Sequence, residues 1–454
     1  MKLHDPNKRH SRREGVVIAM VALSMLAIMS VVAIAVDGGV LLNRRRDVQT
    51  AADAAAMAGA SILYEEWPKY EGIDTANDAK SAAKAIAAQN GYTHGVNGAT
   101  VSVHTPPQTG PYAGRRGYIE VVITYPQPGF FSRALGQGST TIGARAVARG
   151  AWSADGIGVL VLDYTGKSAL NSQGNGSFTE TGGRVIVNSN HNEAVVDGGN
   201  GVMRADQFFI TGNAQVNGGG QLETYPIPGQ VFVGVHPTPD PLAYLPAPSK
   251  PPDGTLTVTS LSSGNKQYVL TPGRFTNLPT FKPGDVVILK QASANANGGI
   301  FYIDGGGFKS TGANIMMDPG TTGGAMLYNN PASDAVSEKI QITGNSSGVV
   351  NMTPLENGPY TGLMMWQRRD SAIAAELAGN GNFTIKGSLY MANAPLSVSG
   401  NGGAFAADDG SIIQGSRIGS QFIVKDLALS GNGNIYLKYK DSPSAPSRIL
   451  CLVE

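Results

Sequence analysis

An uncharged apolar run from Val16 to Val36 limits what this chain can fold into more than any other feature of the sequence. At ~1.5 Å of rise per residue, a helix over this run is roughly 30 Å long, the thickness of the hydrocarbon core of a bilayer. The sequence therefore predicts one transmembrane helix, residues 16–36, whose partner is membrane lipid.

Basic residues on both sides of the run bear on its orientation. Those before it are Lys2, Lys8, Arg9, Arg12 and Arg13. Because basic residues in a short N-terminal tail tend to stay in the cytoplasm, they predict a cytoplasmic tail, residues 1–15, with the bulk of the chain periplasmic or extracellular. Arg44–Arg46 argue the other way, although Asp37 and Asp47 flank them. A single-pass protein of the cell membrane is the expectation.

A cleaved signal peptide is the alternative interpretation of the same segment. Ala33-Ile34-Ala35 has the small residues of a cleavage site and follows a basic start. The apolar run is nevertheless longer than the roughly 7–15 residues of a signal-peptide core, and the helical pattern continues past the site.

Beyond Asp37, small and apolar residues recur mostly at three- and four-residue steps: Leu41, Val48, Ala51, Ala52, Ala55, Gly59 and Ile62. This spacing predicts that the helix continues and presents one apolar face. Small side chains on such a face allow close approach of a partner, although alanine is also simply the best helix former.

The same segment contains Arg13, Gly15, Ala35-Val36-Asp37, Arg44–Arg46 and Gln49–Ala60, the last of which reads QTAADAAAMAGA. These features carry a resemblance to the TadG-like family of the Tad (tight adherence) system. It extends more weakly to about Trp152. The resemblance implies an envelope component of bacteria that is associated with Flp pilus assembly.

A small α+β module is predicted over residues 37–152. Asp74 precedes a second Ala-rich segment, Thr75–Asn90, and Gly91 follows it, as expected of a capped helix. Strands are predicted where β-branched residues alternate between turns, at Thr100–His104, Tyr118–Tyr125 and Thr140–Arg149. We expect a long helix backed by a small sheet, a pilin-like arrangement.

The remaining two thirds of the chain is rich in glycine and poor in charge. Glycine accounts for 60 of 454 residues, and 15% of residues are charged, against averages of roughly 7% and 25%. A Gly-Asn phrase recurs at Gly174-Asn175, Gly212-Asn213, Gly379-Asn380, Gly400-Asn401 and Gly431-Asn432, each beside a short strand pattern. Both residue types suit tight corners. The pattern predicts a right-handed parallel β-helix with Asn stacked between coils, and a β-sandwich is the alternative.

Nine prolines between Tyr225 and Pro252 interrupt this pattern and predict a surface loop or linker. The predicted organisation is as follows: residues 1–15 cytoplasmic tail, 16–36 transmembrane helix, 37–152 TadG-like module, 153–224 start of the β-helix, 225–260 Pro-rich linker, 261–440 β-helix and 441–454 C-terminal tail.

No motif predicts a metal, cofactor or catalytic site. Asp163 begins a sequence similar to the DxSxS metal motif of von Willebrand A domains, but Lys167 stands where the second hydroxyl belongs. Gly198–Met203 begins like a calcium-binding nonapeptide, but Met203 replaces the ligand Asp. The six histidines lack metal spacing, and a net charge of +1 gives no case for nucleic acid. Carboxylates that could act as acid or base are scattered at Asp197, Asp304, Asp318, Asp408 and Asp409.

The sequence thus predicts a non-enzymatic envelope protein with a structural or assembly role in Tad-type (Flp) pili or the cell surface, with pilus or other envelope proteins as partners. The alternatives are a membrane-tethered carbohydrate-active β-helix enzyme and an adhesive module that binds a surface glycan. Clustered Asp and Arg or Lys on one face would favour the enzyme. An exposed aromatic row with residues such as Tyr302, Tyr390 or Tyr436 would favour binding.

Overall fold

A computed structural model describes residues 11–454 except 71, 130, 132, 134–137, 154–155 and 292–298. The first ten residues of the predicted cytoplasmic tail therefore lie outside the described residues. The chain divides into two compact units, Met1–Ser153 with Arg448–Glu454, and Ala154–Ser447. We call them the helix-and-sheet unit and the three-sheet unit.

The helix-and-sheet unit combines helices with one four-stranded sheet of order β1-β2-β3-β35. Its elements are α1 (Ser11–Glu65), α2 (Trp67–Tyr70), α3 (Asp78–Gln89), β1 (Thr100–His104), β2 (Tyr118–Pro128), β3 (Ser139–Ser153) and β35 (Ser447–Leu452). β2 pairs antiparallel with both β1 and β3. The three strands expected from the sequence are present, and β2 and β3 extend beyond the predicted bounds. Residues 441–454, predicted to be a tail, contain β35, which completes this sheet.

The second half of α1 packs on the sheet through the predicted small-residue face. Val48, Ala52 and Ala56 are fully buried in one apolar cluster with Ile119 of β2. The approach is so close that a Cβ on Gly150 of β3 would lie 1.8 Å from the carbonyl oxygen of Ala60. Only glycine fits at this contact, so alanine in the helix and glycine in the strand together set the helix-to-sheet distance.

Helix α3 begins later than the sequence predicts, at Asp78 instead of Thr75. Asp74 still serves its first turn, because its carboxylate accepts hydrogen bonds from the N–H groups of Ala79 and Lys80, each at 3.1 Å. Gly91 has the positive φ, +92°, expected after a helix end.

Short strands make up most of the three-sheet unit. They are β4 (Ile157–Val161), β5 (Leu170–Gly174), β6 (Phe178–Thr181), β7 (Arg184–Val187), β8 (Val195–Asp197), β9 (Val202–Ala205), β10 (Gln207–Ile210), β11 (Ala214–Val216), β12 (Gln221–Thr224), β13 (Val231–Val233), β14 (Leu256–Ser260), β15 (Lys266–Leu270), β16 (Gly273–Phe275), β17 (Val286–Leu289), β18 (Ile300–Ile303), β19 (Phe308–Thr311), β20 (Asn314–Met317), β21 (Met326–Asn329), β22 (Ile340–Thr343), β23 (Val349–Met352), β24 (Leu363–Gln367), β25 (Ala375–Gly379), β26 (Asn382–Ile385), β27 (Ser388–Met391), β28 (Leu396–Gly400), β29 (Ala404–Ala406), β30 (Ile412–Gln414), β31 (Ser416–Ile418), β32 (Gln421–Val424), β33 (Leu427–Gly431) and β34 (Ile435–Lys438). Two 3₁₀ turns cover Ser262–Gly264 and Val336–Glu338.

These strands form three large sheets. The ten-stranded sheet has the order β13-β10-β7-β4-β32-β27-β24-β21-β18-β16. The eight-stranded sheet is β11-β8-β5-β33-β28-β25-β22-β19, and the eleven-stranded sheet is β12-β9-β6-β34-β31-β26-β23-β20-β17-β15-β14. Neighbouring strands run parallel, apart from the antiparallel pair β14–β15. Parallel pairing contradicts the β-sandwich alternative, which needs antiparallel sheets.

The chain visits the three sheets in turn, and we call three such successive strands a round. The first round is β4, β5 and β6, and the last is β32, β33 and β34. These two rounds are neighbours in the middle of all three sheets, where β32 pairs with β4, β33 with β5 and β34 with β6. The early rounds therefore extend from the middle to one end, and the late rounds return from the other end to the middle.

Glycines line up where strands of the eight-stranded sheet end. Gly379, Gly400, Gly431 and Gly174 are register partners on four adjacent strands. A Cβ on Gly431, where φ is +99°, would lie 2.1 Å from the carbonyl oxygen of Gly400. The Gly-Asn phrase thus marks one column of corners, as the sequence predicts, except that Gly212-Asn213 lies at a different connection, between β10 and β11.

Asparagines beside this column form a ladder. Asn200 donates to Asn175 at 3.0 Å, and Asn175 donates to Asn432 at 3.2 Å. The second bond joins the first and last rounds. Inside the sheets, Phe383 and Ile435 share one buried apolar cluster.

The Pro-rich segment crosses the outer face of the ten-stranded sheet, the face turned away from the shared core. Its contacts follow the strand order: Thr238 with Asn188 beyond β7, Asp240 with Tyr390 of β27, Lys250 with Asp304 beyond β18, and Asp253 with Arg274 of β16. Leu242 and Leu245 are buried against that face. The segment therefore links the two ends of the sheet and is more than a linker.

Candidate functional site

The first half of α1 has the properties of a membrane anchor. Its large apolar side chains from Val16 to Val36 are between 42% and 73% exposed, and its most apolar window has a mean hydropathy of 2.7. Within the described residues it is the one helix long and apolar enough to cross a membrane. Such exposure is costly in water and normal in lipid.

A charged network stabilises the sheet onto which α1 packs. The Nε of Arg145 donates to Glu120 at 2.6 Å, and its Nη1 lies 2.7 Å from Glu454. Burial works to raise the pKa of Glu120, but hydrogen bonds from Thr109, Gln108 and Arg145 together hold that pKa below its usual value. Each charge here is satisfied by the fold, so we assign this network a structural role.

A different charged group lies on the outer face of the eleven-stranded sheet. We call it the Asp408 cluster, and it consists of Asp408, Lys386, Arg417 and Lys438. The nitrogens of Lys386, Arg417 and Lys438 lie 3.2, 3.0 and 2.7 Å from the Asp408 carboxylate. Arg417 and Lys438 belong to β31 and β34, and Lys386 follows β26, so three adjacent strands bring the cations together.

Asp408 is firmly ionised in this arrangement. The hydrogen bond from Lys438 is the largest influence, and together with Lys386 and Arg417 it lowers the pKa of Asp408 far below its usual value despite partial burial. Such a carboxylate has no proton to donate near neutral pH, and three cations make it a weak base. The cluster brings Asp together with Lys and Arg on one face, but its chemistry suits binding better than acid–base catalysis.

Two groups of candidate residues each adjoin a pocket, one of about 540 Å³ and the other of about 490 Å³. The larger one lies at the Asp408 cluster and is lined also by Phe405, Ser411 and Tyr436. The smaller one is lined by Asp163, Thr165 and other residues near Asp240.

The remaining carboxylates named from the sequence do not join Asp408 in one site. Asp409 caps its own turn through Ser411, Asp318 accepts from the N–H of Gly320, and Asp304 pairs with Lys250 at 2.6 Å. Asp197 is fully buried in the eight-stranded sheet, and burial raises its pKa. Turn formation and burial account for these positions.

The Asp163 motif forms a turn. Its Oδ1 accepts hydrogen bonds from the N–H groups of Thr165 and Gly166 at 2.8 and 2.7 Å, while Lys167 pairs with Glu193 at 2.8 Å. Met203 of the nonapeptide-like segment is in the core, 1% exposed. Across the described residues, we find no group of three or more His, Cys, Asp or Glu that could hold a metal ion.

An aromatic row does exist, but the Pro-rich segment covers it. Tyr302, Tyr328, Trp366 and Tyr390 follow one another on adjacent strands with ring centroids 4.9, 5.6 and 5.3 Å apart. Each is at most 7% exposed, and burial raises the pKa of Tyr328 to about 12. Tyr302 and Tyr390 are thus unavailable as an open glycan platform, whereas Tyr436 lies elsewhere, in the Asp408 pocket.

The polar group that fastens the Pro-rich segment has almost no signal in the sequence. The hydroxyl of Tyr390 donates to Asp240 at 2.6 Å and accepts from the Nε of Arg369 at 2.6 Å. Arg369 also donates to the carbonyl of Leu242 at 2.7 Å. Burial is the main influence on Asp240 and raises its pKa, against the hydrogen bond from Tyr390. An Asp inside a proline run, followed by two leucines, is the sole sequence hint of an anchored segment.

Glu180 of β6 is a carboxyl group that the sequence analysis also missed. Its side chain is buried, and burial together with the negative charge of Asp206 raises its pKa to about 8. The N–H groups of Gly183 and Asp206 oppose this shift, although neither carboxylate oxygen has a donor in hydrogen-bonding geometry within the described part of the chain. Glu180 is therefore largely protonated at neutral pH.

Comparison with known proteins identifies the N-terminal region. Residues 15–61 match the family described as Flp pilus-assembly TadE/G-like, and residues 58–148 match the family described as Tad-like Flp pilus-assembly. No curated protein and no solved structure gives a significant match. The two family matches cover α1 and the sheet onto which it packs, in agreement with the resemblance found in the sequence. Residues 15–148 of this chain are thus similar to two families of the Flp pilus-assembly type.

Proposed function

We propose that this chain is a single-pass protein of the bacterial cell envelope with a TadG-like structural or assembly role in a Tad-type (Flp) pilus or a related cell-surface structure. The match of residues 15–148 to the two Tad families carries the proposal. The exposed apolar half of α1 supports the membrane anchor. Its partners are membrane lipid and pilus or other envelope proteins.

The proposed role is tested in a bacterium from which the gene for this chain has been deleted. Loss of Flp pili, restored by the full chain, is the expected result. Ala52→Glu places a charge in the buried contact between α1 and the sheet and should not restore pili, whereas Thr50→Glu, on the exposed side of the same helix, should. Normal piliation of the deletion strain would contradict the assembly role.

The proposed topology has the N-terminus in the cytoplasm and residues 37–454 outside it. Five basic residues before the apolar run support this orientation. Cys451 is the single thiol of the chain and is partly exposed in β35. A membrane-impermeant maleimide should label it in cells with a permeable outer layer. In a Cys451→Ser variant that carries Asn7→Cys, labelling should require lysis, and the reverse pattern would refute the orientation.

We further infer that the three large sheets are the faces of a right-handed parallel β-helix in which each round is one coil. The parallel register, the Gly column and the core cluster shared by the three sheets support this inference. Connections between parallel strands are right-handed in nearly all proteins. The contact between the first and last rounds offers a direct test.

Asn175 and Asn432 are 257 residues apart in sequence, yet their side chains share a hydrogen bond of 3.2 Å. Adjacent strands lie about 4.8 Å apart, close enough for a disulfide. In a Cys451→Ser background, cysteines at 175 and 432 should therefore crosslink under mild oxidation. Cysteines at 175 and 380, on strands three places apart in the sheet, should not. Equal crosslinking of both pairs would contradict the proposed closure.

We propose that the chain is not an enzyme. The ion pairs that hold Asp408 ionised support this, because this carboxylate lacks a proton to transfer near neutral pH. Release of reducing ends or unsaturated sugars from an acidic polysaccharide by the purified full chain, lost in Asp408→Asn, would establish the carbohydrate-active alternative instead.

A further inference from the structure

The Asp408 pocket is built by an insertion into one round. Residues 401–415 connect β28 to β31, whereas residues 380–381 and 432–434 suffice at the equivalent connections. The insertion forms an antiparallel hairpin of β29 and β30 that belongs to none of the three large sheets. Its Phe405 packs on Tyr436 of β34, with ring centroids 5.6 Å apart. The hairpin thereby forms a wall on the outer face of the eleven-stranded sheet.

The register of β26, β31 and β34 determines which polar side chains form the floor of this pocket. Arg417 is the register partner of Thr384 on one side and of Tyr436 on the other. Alternation along the strands sends their neighbours Ile418 and Leu437 into the buried core. The result is an open pocket of about 540 Å³ with a guanidinium, an ammonium, two carboxylates, hydroxyls and two aromatic rings on its walls.

Three cations and two carboxylates meet at this pocket, although Lys386 contacts Asp408 without lining the pocket itself. Lys386, Arg417 and Lys438 face the single carboxylate of Asp408, while Asp409 accepts from Ser411. An ammonium group has three N–H donors, and among the described residues Lys386 and Lys438 each donate only to Asp408. Their side chains are 30% and 37% exposed. Donors therefore remain for an anion that enters from solvent.

Arg417 is a nearly buried cation at the floor of the pocket. Its side chain is 3% exposed, and it donates to Asp408 and to the hydroxyl of Ser442. Its Nε has no acceptor in the described part of the structure. A buried guanidinium is costly unless its donors are satisfied, and the fold has nevertheless placed it at the floor of an open pocket.

We propose that this pocket binds a carboxylate-bearing saccharide, with the carboxylate on the ammonium group of Lys438, beside the ion pair of Lys386 with Asp408. Tyr436 and Phe405 offer apolar ring surface to the C–H face of a sugar, and Ser411, Thr181 and Asp409 offer hydroxyl and carboxylate groups to its hydroxyls. This mixture of charge, ring surface and small polar groups fits a uronic acid residue of a surface polysaccharide. The proposal goes beyond the pilus-assembly role and does not depend on it.

Binding is tested with the purified full chain in detergent micelles, by calorimetric titration with a tetramer of galacturonic acid and with the uncharged galactose tetramer of the same linkage. The acidic tetramer should bind at least about ten-fold more tightly, and the difference should shrink at high salt. No binding of the acidic tetramer, or equal affinity for both, would overturn the proposal. Tighter binding of a sulfated galactose tetramer would overturn the choice of carboxylate.

Lys438→Gln should weaken binding of the acidic tetramer at least about five-fold, because it removes one charged donor from the site. Lys290→Gln is the matched control, since Lys290 is exposed and follows β17 of the same sheet as Lys386 follows β26. Its affinity should equal that of the unmodified chain. Both variants should keep the unmodified melting temperature, and equal affinity of Lys438→Gln and Lys290→Gln would refute the site.

Discussion

The outer face of the ten-stranded sheet is aromatic and covered, whereas that of the eleven-stranded sheet is charged and open around Asp408. In β27 the inward side chain Leu389 joins the shared core, while its neighbour Tyr390 joins a second apolar cluster beneath the Pro-rich segment. In β34 the inward side chain Leu437 joins the same core, but its neighbours Tyr436 and Lys438 line a pocket. The inner pattern is the same, and the outer pattern differs.

This difference shows how one repeating strand pattern can serve two purposes. Around Tyr302, Tyr328, Trp366 and Tyr390, where the Pro-rich segment covers the ten-stranded sheet, outward side chains are aromatic and contribute to stability as core residues do. Wherever an insertion forms only one wall, outward side chains stay polar and available to solvent. Substitutions on the two faces should therefore differ sharply in their effect on unfolding.

The largest effect is expected on the covered face. Trp366 is 1% exposed, so Trp366→Ala should lower the free energy of unfolding by about 3–5 kcal/mol through loss of burial and formation of a cavity. Tyr436→Ala on the open face, where the ring is partly exposed, should cost about 1 kcal/mol. Urea denaturation followed by circular dichroism measures both. Similar losses would mean that the two faces do not differ as proposed.

An effect of similar size, but one that depends on pH, is expected at Glu180. Its folded pKa of about 8 lies above the unfolded value near 4.5, so the folded state binds the proton more tightly. The contribution of this group to the free energy of unfolding has its full value below pH ~4.5 and is lost as the pH rises toward 8. Because glutamine cannot ionise, the free energy of unfolding of Glu180→Gln, relative to that of the unmodified chain, should rise by roughly 3–5 kcal/mol between pH 5 and pH 9.

Asp408 should show the opposite dependence on pH, because its pKa is lowered in the folded state. Its contribution is present above its unfolded pKa and is lost as the pH falls in the acid range. Unfolding of Asp408→Asn and Glu180→Gln across the pH range therefore distinguishes a carboxyl group in the core from one in an open pocket. Parallel pH profiles for the two variants would contradict these assignments.

The attachment of the Pro-rich segment should contribute less than the aromatic row beneath it. Asp240→Ala removes the acceptor of the buried Tyr390 hydroxyl and a partner of the Arg369 network. The expected loss is about 1–3 kcal/mol, the cost of leaving a buried polar group unpaired. Ser249→Ala, in an exposed position of the same segment, is the control. If proteolysis within the Pro-rich segment is faster in Asp240→Ala but not in Ser249→Ala, the loss of stability comes from detachment of this segment.

Local features of this fold could be predicted from the sequence because they depend on neighbouring residues. The apolar length of Val16–Val36 and the small-residue face of α1 follow from helical spacing. The column of Gly379, Gly400, Gly431 and Gly174 follows from the need for glycine where backbones meet.

Other features depend on pairings between distant residues, for which one sequence holds no local signal. The contact of Asn175 with Asn432 spans 257 residues, and the crossing of the Pro-rich segment depends on which strands neighbour each other in space. The Asp408 cluster was missed for the same reason. Lys386, Arg417 and Lys438 are in different strands, and only the order of those strands in the sheet brings them to Asp408.

The smallest effect on stability is expected for the lysines of the Asp408 cluster, and it separates a binding role from a structural one. Lys438 and Lys386 are partly exposed, so their ion pairs with Asp408 are screened by water. Lys438→Gln and Lys386→Gln should each change the free energy of unfolding by under about 1 kcal/mol. If either variant lost as much as Trp366→Ala, the cluster would serve to hold the hairpin of β29 and β30 in place. A small loss of stability with a large loss of affinity for the acidic tetramer instead requires that these cations be kept for a ligand.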